Sequence, residues 1–235
     1  MSNHSAYRTF VDRLSKTKDS AREKSTKKRK SLGLRTAREN LDDLVDPGSF
    51  LEFGAFAVAA QRNRRDYEEL QLETSADGIL TGFCNINEDE VGEDNSHAAA
   101  IIYDYSVLAG SQGFFHHQKL DRICEKAEEF SLPVVIFTEG GGGRPGDTDV
   151  TTQIAGLHIP SFSTWARLTG KCLKIAVNNG YCFAGNAVLF GCSDFMIATK
   201  QSWIGMAGPA MIEGGGLGVY DCLLYTSPSP RDVVP

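Results

Sequence analysis

The chain lacks any apolar run approaching the roughly 18 to 20 residues that a membrane span needs. Its N-terminus is polar where a secretory leader would carry an apolar stretch, so the protein is read as cytoplasmic. Cysteine occurs six times but never as a C-x-x-C pair. Cys84, Cys124, Cys172, Cys182, Cys192 and Cys222 are scattered, most of them among apolar neighbours, which argues against a disulfide framework or a zinc site. Net positive charge is also missing: 24 Lys and Arg face 30 Asp and Glu, giving −6. That balance hides an asymmetry. Residues 1–30 hold ten basic against three acidic side chains, a net +7, which leaves −13 for the remainder. The basic segment Lys16–Lys30 contains no aromatic residue and no recognition motif follows it, so nucleic-acid binding is not indicated. A solvated, partly mobile helix accounts for it, as does a share in holding a ligand's phosphates. With 235 residues and 41% hydrophobic side chains, the chain can bury one sizeable core as a single α/β domain.

Local patterns outline that domain. Leu41, Leu44 and Val45 share the face of a helix that Asp46-Pro47-Gly48-Ser49 ends as a turn. Ala76 to Phe83 reads as a turn into a strand, Asn87 to Asn95 as an acidic loop, and Ala98 to Tyr105 as a second strand. Gln118 to Phe130 places Leu120, Ile123, Ala127 and Phe130 on one helical face, with Pro133 preventing continuation. Val134–Phe137 is an unbroken apolar run suited to a strand covered on both sides. The ββα order then returns, with a strand at Leu173–Val177, a short helix at Ala184–Phe190 and a strand at Phe195–Ala198.

Two glycine segments carry the chemistry. Gly180-Tyr181-Cys182-Phe183-Ala184-Gly185 leaves small residues where a helix starts, so unpaired backbone N–H groups can face a developing negative charge. Thr138 to Gly146 follows a buried strand with four successive glycines, which lets the backbone approach a ligand closely. A Walker phosphate loop would need Gly-Lys-Ser/Thr where this chain has Gly143-Arg144-Pro145.

These segments resemble the crotonase superfamily, and within it the carboxyltransferase component of biotin-dependent acyl-CoA carboxylases. Leu34-Arg35-Thr36-Ala37-Arg38-Glu39 with Leu44 to Phe50 is similar to that family's opening "TARER…LLDPGSF" signature. Gly141-Gly142-Gly143-Arg144 stands where the family has "DSGGAR", with Glu139-Gly140 in place of Asp-Ser and Gly143 in place of Ala. Ala207-Gly208-Pro209-Ala210-Met211-Ile212-Glu213 resembles its "AGPAVVE" region. The resemblance implies an α/β, crotonase-like ββα superhelix over residues 31–220, preceded by a basic, possibly mobile segment at 1–30. It implies an enolate stabilised by backbone amides, here of Gly141 or Gly142 and of Gly185. Acyl-CoA would be held by Arg35, Arg38, Ala76, Asp77, Gly78, Ala184, Ala207, Gly208 and Pro209. Carboxybiotin, carried on a partner protein or domain alongside a biotin carboxylase, would supply the carboxyl group, with no metal in this domain. A homo-oligomer is expected at full length, with neither nucleic acid nor membrane as partner. Hydratases of the superfamily use two glutamates, and the corresponding positions here are Val188 and Gly208, neither of which can move a proton. Isomerases, decarboxylases, thioester hydrolases and a stand-alone acyl-CoA-binding domain remain as alternatives.

Other residues have plainer readings. His116, His117 and His158 have no metal-ligating neighbours at suitable spacing. Tyr103, Tyr105, Phe114 and Phe115 fit a core, Glu139 and Glu213 structural or solvent-facing roles, and Arg62, Arg64 and Arg65 a charged turn that a CoA phosphate could also contact. After Tyr220 the resemblance stops and residues 221–235 show neither strand nor helix periodicity, which reads as a non-native or disordered tail produced by truncation. Only the N-terminal half of a carboxyltransferase is then present, and the fragment alone is expected to be inactive.

Overall fold

A computed structural model describes residues 2–150 and 159–216. His158, residues 217–220 and the segment 221–235 lie outside the described residues, as do the readings that fall on them. The strands are β1 (Leu51–Phe53), β2 (Ile79–Asn85), β3 (His97–Tyr103), β4 (Val134–Phe137), β5 (Lys174–Asn178), β6 (Tyr181–Phe183), β7 (Phe195–Ala198) and β8 (Trp203–Gly205). The helices are α1 (Ser2–Lys16), α2 (Glu23–Ser31), α3 (Ala37–Leu44), α4 (Tyr67–Glu73), α5 (Glu88–Val91), α6 (Glu93–Ser96), α7 (Phe114–Phe130), α8 (Ser161–Arg167), α9 (Gly185–Gly191) and α10 (Pro209–Gly214).

Six strands form one sheet in the order β1-β2-β3-β4-β5-β7, and β6 pairs with β8 in a second, two-stranded sheet. The first three strands are antiparallel, while β3, β4, β5 and β7 run parallel. Strand β3 is nearly all small or β-branched (HAAAIIY) and is buried from Ala98 to Tyr103, as a strand covered on both faces must be. One face packs Ile101, Ile136 and Ala176 against Leu120, Ile123 and Ala127 of α7 and Trp165 of α8. The other covers Ala100 and Ile102 with Ala37 and Leu41 of α3. The first expected ββα unit is present as β2-β3-α7, and the second set of elements forms as strand β5, helix α9 and strand β7.

Several details depart from expectation. Helix α7 starts at Phe114, four residues before Gln118, because its first amides find acceptors far along the chain: Phe114 N–H donates to Asp147 and His116 N–H to Asp77. Phe130, expected on the buried face, is 54% exposed at the helix end, where its ring meets Phe83 edge-on. The acidic stretch Asn87 to Asn95 folds into α5 and α6, and the turn at Gly180–Gly185 contains strand β6. The basic segment is not simply solvated. Lys24, Lys27, Lys28 and Lys30 face solvent, but Arg22 is buried against Asp104 at 2.8 Å and Arg29 against Glu139 at 2.5 Å. No helix of the described residues is long and apolar enough to cross a membrane.

Candidate active site at two abutting glycine turns

The first glycine turn begins where β4 ends, and the second joins β6 to α9. Backbone bonds lace them together: Gly140 N–H donates to the Tyr181 carbonyl and Phe183 N–H to the Gly140 carbonyl, both at 2.8 Å. Gly142 has φ +87°, a conformation that L side chains rarely adopt, and a Cβ there would lie 2.7 Å from Ala184 Cβ. Contact that close needs glycine. Ala184 itself is held at φ 51° and ψ −120°, a sparsely populated conformation for a residue with a side chain. The backbone turns sharply there as it enters α9.

The amides of the loop differ in what they bond to. Gly141 N–H donates to the Ala109 carbonyl at 2.9 Å, and Gly142 N–H to Asn186 Oδ1 at 3.0 Å. Both are engaged inside the scaffold and cannot also face a ligand. Arg144 N–H donates to the Gln112 carbonyl at 3.0 Å. Between them Gly143 is exposed, its N–H has no acceptor among the described residues, and a Cβ there would meet nothing within 4 Å. Gly185, at the first position of α9, likewise has no acceptor for its N–H among the described residues. Gly143 is therefore the open amide of the glycine loop, and Gly185 is the first of the open amides that begin α9.

Arg144 fixes the exit of the loop. Its guanidinium contacts the Asp77 carboxylate, lies 3.5 Å from Asp147, and donates to the Ser111 carbonyl at 2.7 Å and to Ser111 Oγ at 3.2 Å. Both acids also accept from the first turn of α7, so one buried cation and two carboxylates tie the loop to that helix. Asp77 is fully buried, and burial pushes its carboxyl upward against the pull of Arg144. Asp77 is therefore held within the scaffold by Arg144 and the first turn of α7. Its neighbours Ala76 and Gly78 are buried with it in a short 3-10 turn, where the Ala76 carbonyl accepts from buried Lys119.

The two arginines expected at the ligand are also accounted for elsewhere. Arg38 makes a bidentate pair with Glu52 at 2.9 and 3.1 Å and donates to the Thr17 carbonyl. Arg35 pairs with Asp43 at 2.7 Å in a shallow depression shared with Glu39 and Asp42, an acidic setting that repels a phosphate. The segment after β8, by contrast, packs against the second turn: Ala184 N–H donates to the Gly205 carbonyl at 2.9 Å, and a Cβ at Gly208 would lie 3.3 Å from the Phe183 ring. Pro209 begins α10 just beyond.

Glu139, which precedes the glycines, is structural. Arg29 holds it under Gly180, and burial raises its carboxyl against that pairing. His116 and His117 are both buried and held below the usual imidazole range by desolvation, His117 at about 4; their Nδ1 atoms meet the Asp77 carbonyl and Ser161 Oγ. Among the described residues no group of three His, Cys, Asp or Glu could hold a metal ion. Gln112 and Asn186 were missed by sequence reasoning. Asn186 directly follows the second glycine segment, which is its one signal, while Gln112 adjoins neither segment in the sequence.

Comparison with known proteins shows the family. The model of the carboxyl transferase domain matches residues 28–220. The methylmalonyl-CoA carboxyltransferase 12S subunit of Propionibacterium freudenreichii subsp. shermanii is 31% identical over 81% of this chain and 34% of its own length. The biotin-dependent long chain acyl-coenzyme A carboxylase beta4 subunit of Mycobacterium tuberculosis is 30% identical over 86% of this chain and 35% of its own. Among solved structures, a single-chain, multi-domain long-chain acyl-CoA carboxylase superposes with a TM-score of 0.84 at 50% identity, covering 92% of this chain and 21% of that one. The chain thus spans about a third of the length of the curated relatives it matches. By the extent of the matched model and the fold it shares with these enzymes, the chain belongs to the carboxyl transferase domain family.

Proposed function

We propose that this chain is the acyl-CoA side of a biotin-dependent carboxyltransferase, taking part in transfer of a carboxyl group from carboxybiotin to the α-carbon of an acyl-CoA. The observation that carries this reading is the pair of unengaged amides, Gly143 and Gly185, on two turns locked against each other. Removing a proton next to a thioester puts negative charge on the thioester oxygen, and preorganised N–H donors stabilise that enolate as it forms. They need no reorganisation, because every neighbouring amide in the loop is already bonded to the scaffold. Biotin, which attaches to a partner protein or domain when present, supplies the carboxyl group; the residues of this chain bind, orient and stabilise. Ala184, Ala207 and Gly208 are the residues we assign to the approach to the amides. Residues 31–220 act as the N-terminal, crotonase-like domain of a larger homo-oligomeric enzyme, and the chain alone does not carboxylate.

A decarboxylase reading shares the same half-reaction run in reverse. It is favoured by one relative, the methylmalonyl-CoA decarboxylase subunit alpha of Veillonella parvula, 28% identical over 86% of this chain. A chimaera tests the proposal. Residues 28–216 would replace the corresponding segment of the 50% identical long-chain acyl-CoA carboxylase, and transfer of labelled carboxyl to acyl-CoA would be measured. Turnover supports the carboxyltransferase. A folded chimaera that binds acyl-CoA but transfers nothing points to a stand-alone acyl-CoA-binding domain.

A further inference from the structure

The two amides sit on different turns, so their relative position needs something that spans both. Asn186 follows Gly185 in the first turn of α9 and is fully buried. Its Oδ1 accepts the Gly142 N–H at 3.0 Å, and its Nδ2 donates to the Thr138 carbonyl at 3.2 Å. Thr138 ends the strand segment before the glycines and Gly142 directly precedes Gly143. One side chain therefore grips the loop at both ends from the residue adjoining the opposite donor. The fit is tight, since a Cβ at Gly140 would collide with the Asn186 amide. Gln112 closes the far side, donating its N–H to the Gly142 carbonyl at 2.7 Å and accepting from Arg144 N–H.

Resting on the oxyanion reading above, we infer that Asn186 is a positioning residue that sets the spacing of the Gly143 and Gly185 amides, and so sets selectivity for enolate-like charge over a neutral acyl group. An amide is required because one end must accept and the other donate. A carboxylate could accept from Gly142 but would repel the Thr138 carbonyl. A protonated carboxyl, of the same shape, could do both.

The test is a binding comparison in the full 235-residue chain. One probe is an α-nitro acyl-CoA analogue that is ionised and carries enolate-like charge on its carbonyl oxygen; the other is a CoA thioether without the carbonyl. The wild-type chain should prefer the ionised analogue. In Asn186→Ala that preference should fall by on the order of 100-fold, with thioether affinity and circular dichroism unchanged. Asn186→Asp should keep the preference at low pH, where the buried carboxyl is protonated, and lose it reversibly as pH rises. It is the deciding variant if the alanine substitution fails to fold. Wild-type preference retained by Asn186→Asp at every pH overturns the inference and leaves the oxyanion reading standing. Absence of preference in the wild-type chain overturns that reading, and the inference with it.

Discussion

At the scale of single residues, buried charge and buried imidazole govern how the protein responds to substitution and pH. Arg144 and Asp77 are 4% and 0% exposed at their side chains, so removing the arginine leaves a carboxylate without a partner in the interior. Arg144→Met should cost about 3–5 kcal/mol in denaturant unfolding. Asp77→Asn in the same chain should recover part of that loss, since no charge then remains to be matched. His117 gives a test of opposite character. Its folded value of about 4 lies below the unfolded 6.5, so the unfolded chain binds a proton that the folded chain refuses. The stability that neutral His117 contributes is present above pH 6.5 and is lost as pH falls toward 4. Compared with His117→Gln, the wild-type protein should lose about 2 kcal/mol more between pH 7 and pH 5. Asp77 and Glu139, raised by burial, act with the opposite sign, which is why the difference between the two proteins is the quantity to measure. Equal pH dependence would contradict the burial described for His117.

Elements were legible from the sequence where local rules settle them. The strands Val134–Phe137 and Phe195–Ala198 form where their apolar runs place them. The Thr36 to Glu39 segment forms a full capping box at the start of α3. What local rules missed was supplied from a distance: the start of α7 depends on Asp77 and Asp147, and β6 exists because Gly140 and β8 pair with it. The same holds for the site. Glycine runs signalled unhindered amides, but which amide stays open depends on Ala109, Gln112 and Asn186, which are brought in by folding. Asp77 and Arg38, expected as ligand contacts, are buried ion-pair partners, a pairing that residue type alone does not reveal and that buried charges require. Gly142→Ala probes the contact between the turns. A Cβ there meets Ala184 at 2.7 Å from a backbone at φ +87°, so the loop must shift. Unfolding should show a loss of about 1–3 kcal/mol, and the chimaera a larger loss in carboxyl transfer than in acyl-CoA binding.

At the scale of the whole molecule, the sheet ends in an unusual edge. Among the described residues strand β7 is hydrogen-bonded to β5 alone, and Phe195, Met196 and Ile197 are 60%, 53% and 54% exposed. An apolar edge strand with open backbone groups favours association. The isolated chain should show concentration-dependent scattering, and Ile197→Lys should reduce it while leaving circular dichroism unchanged. The proposed site lies where the two glycine turns meet, the first of them directly after β4. The direct test is to remove one amide proton without altering the loop's shape. Gly143 has open space around its Cα and no positive φ, so alanine there keeps the N–H while proline removes it. In the chimaera, Gly143→Ala should transfer carboxyl groups near the wild-type rate and Gly143→Pro should be slower by about 100- to 1,000-fold. Equal rates for the two variants, with both folded, would contradict the account.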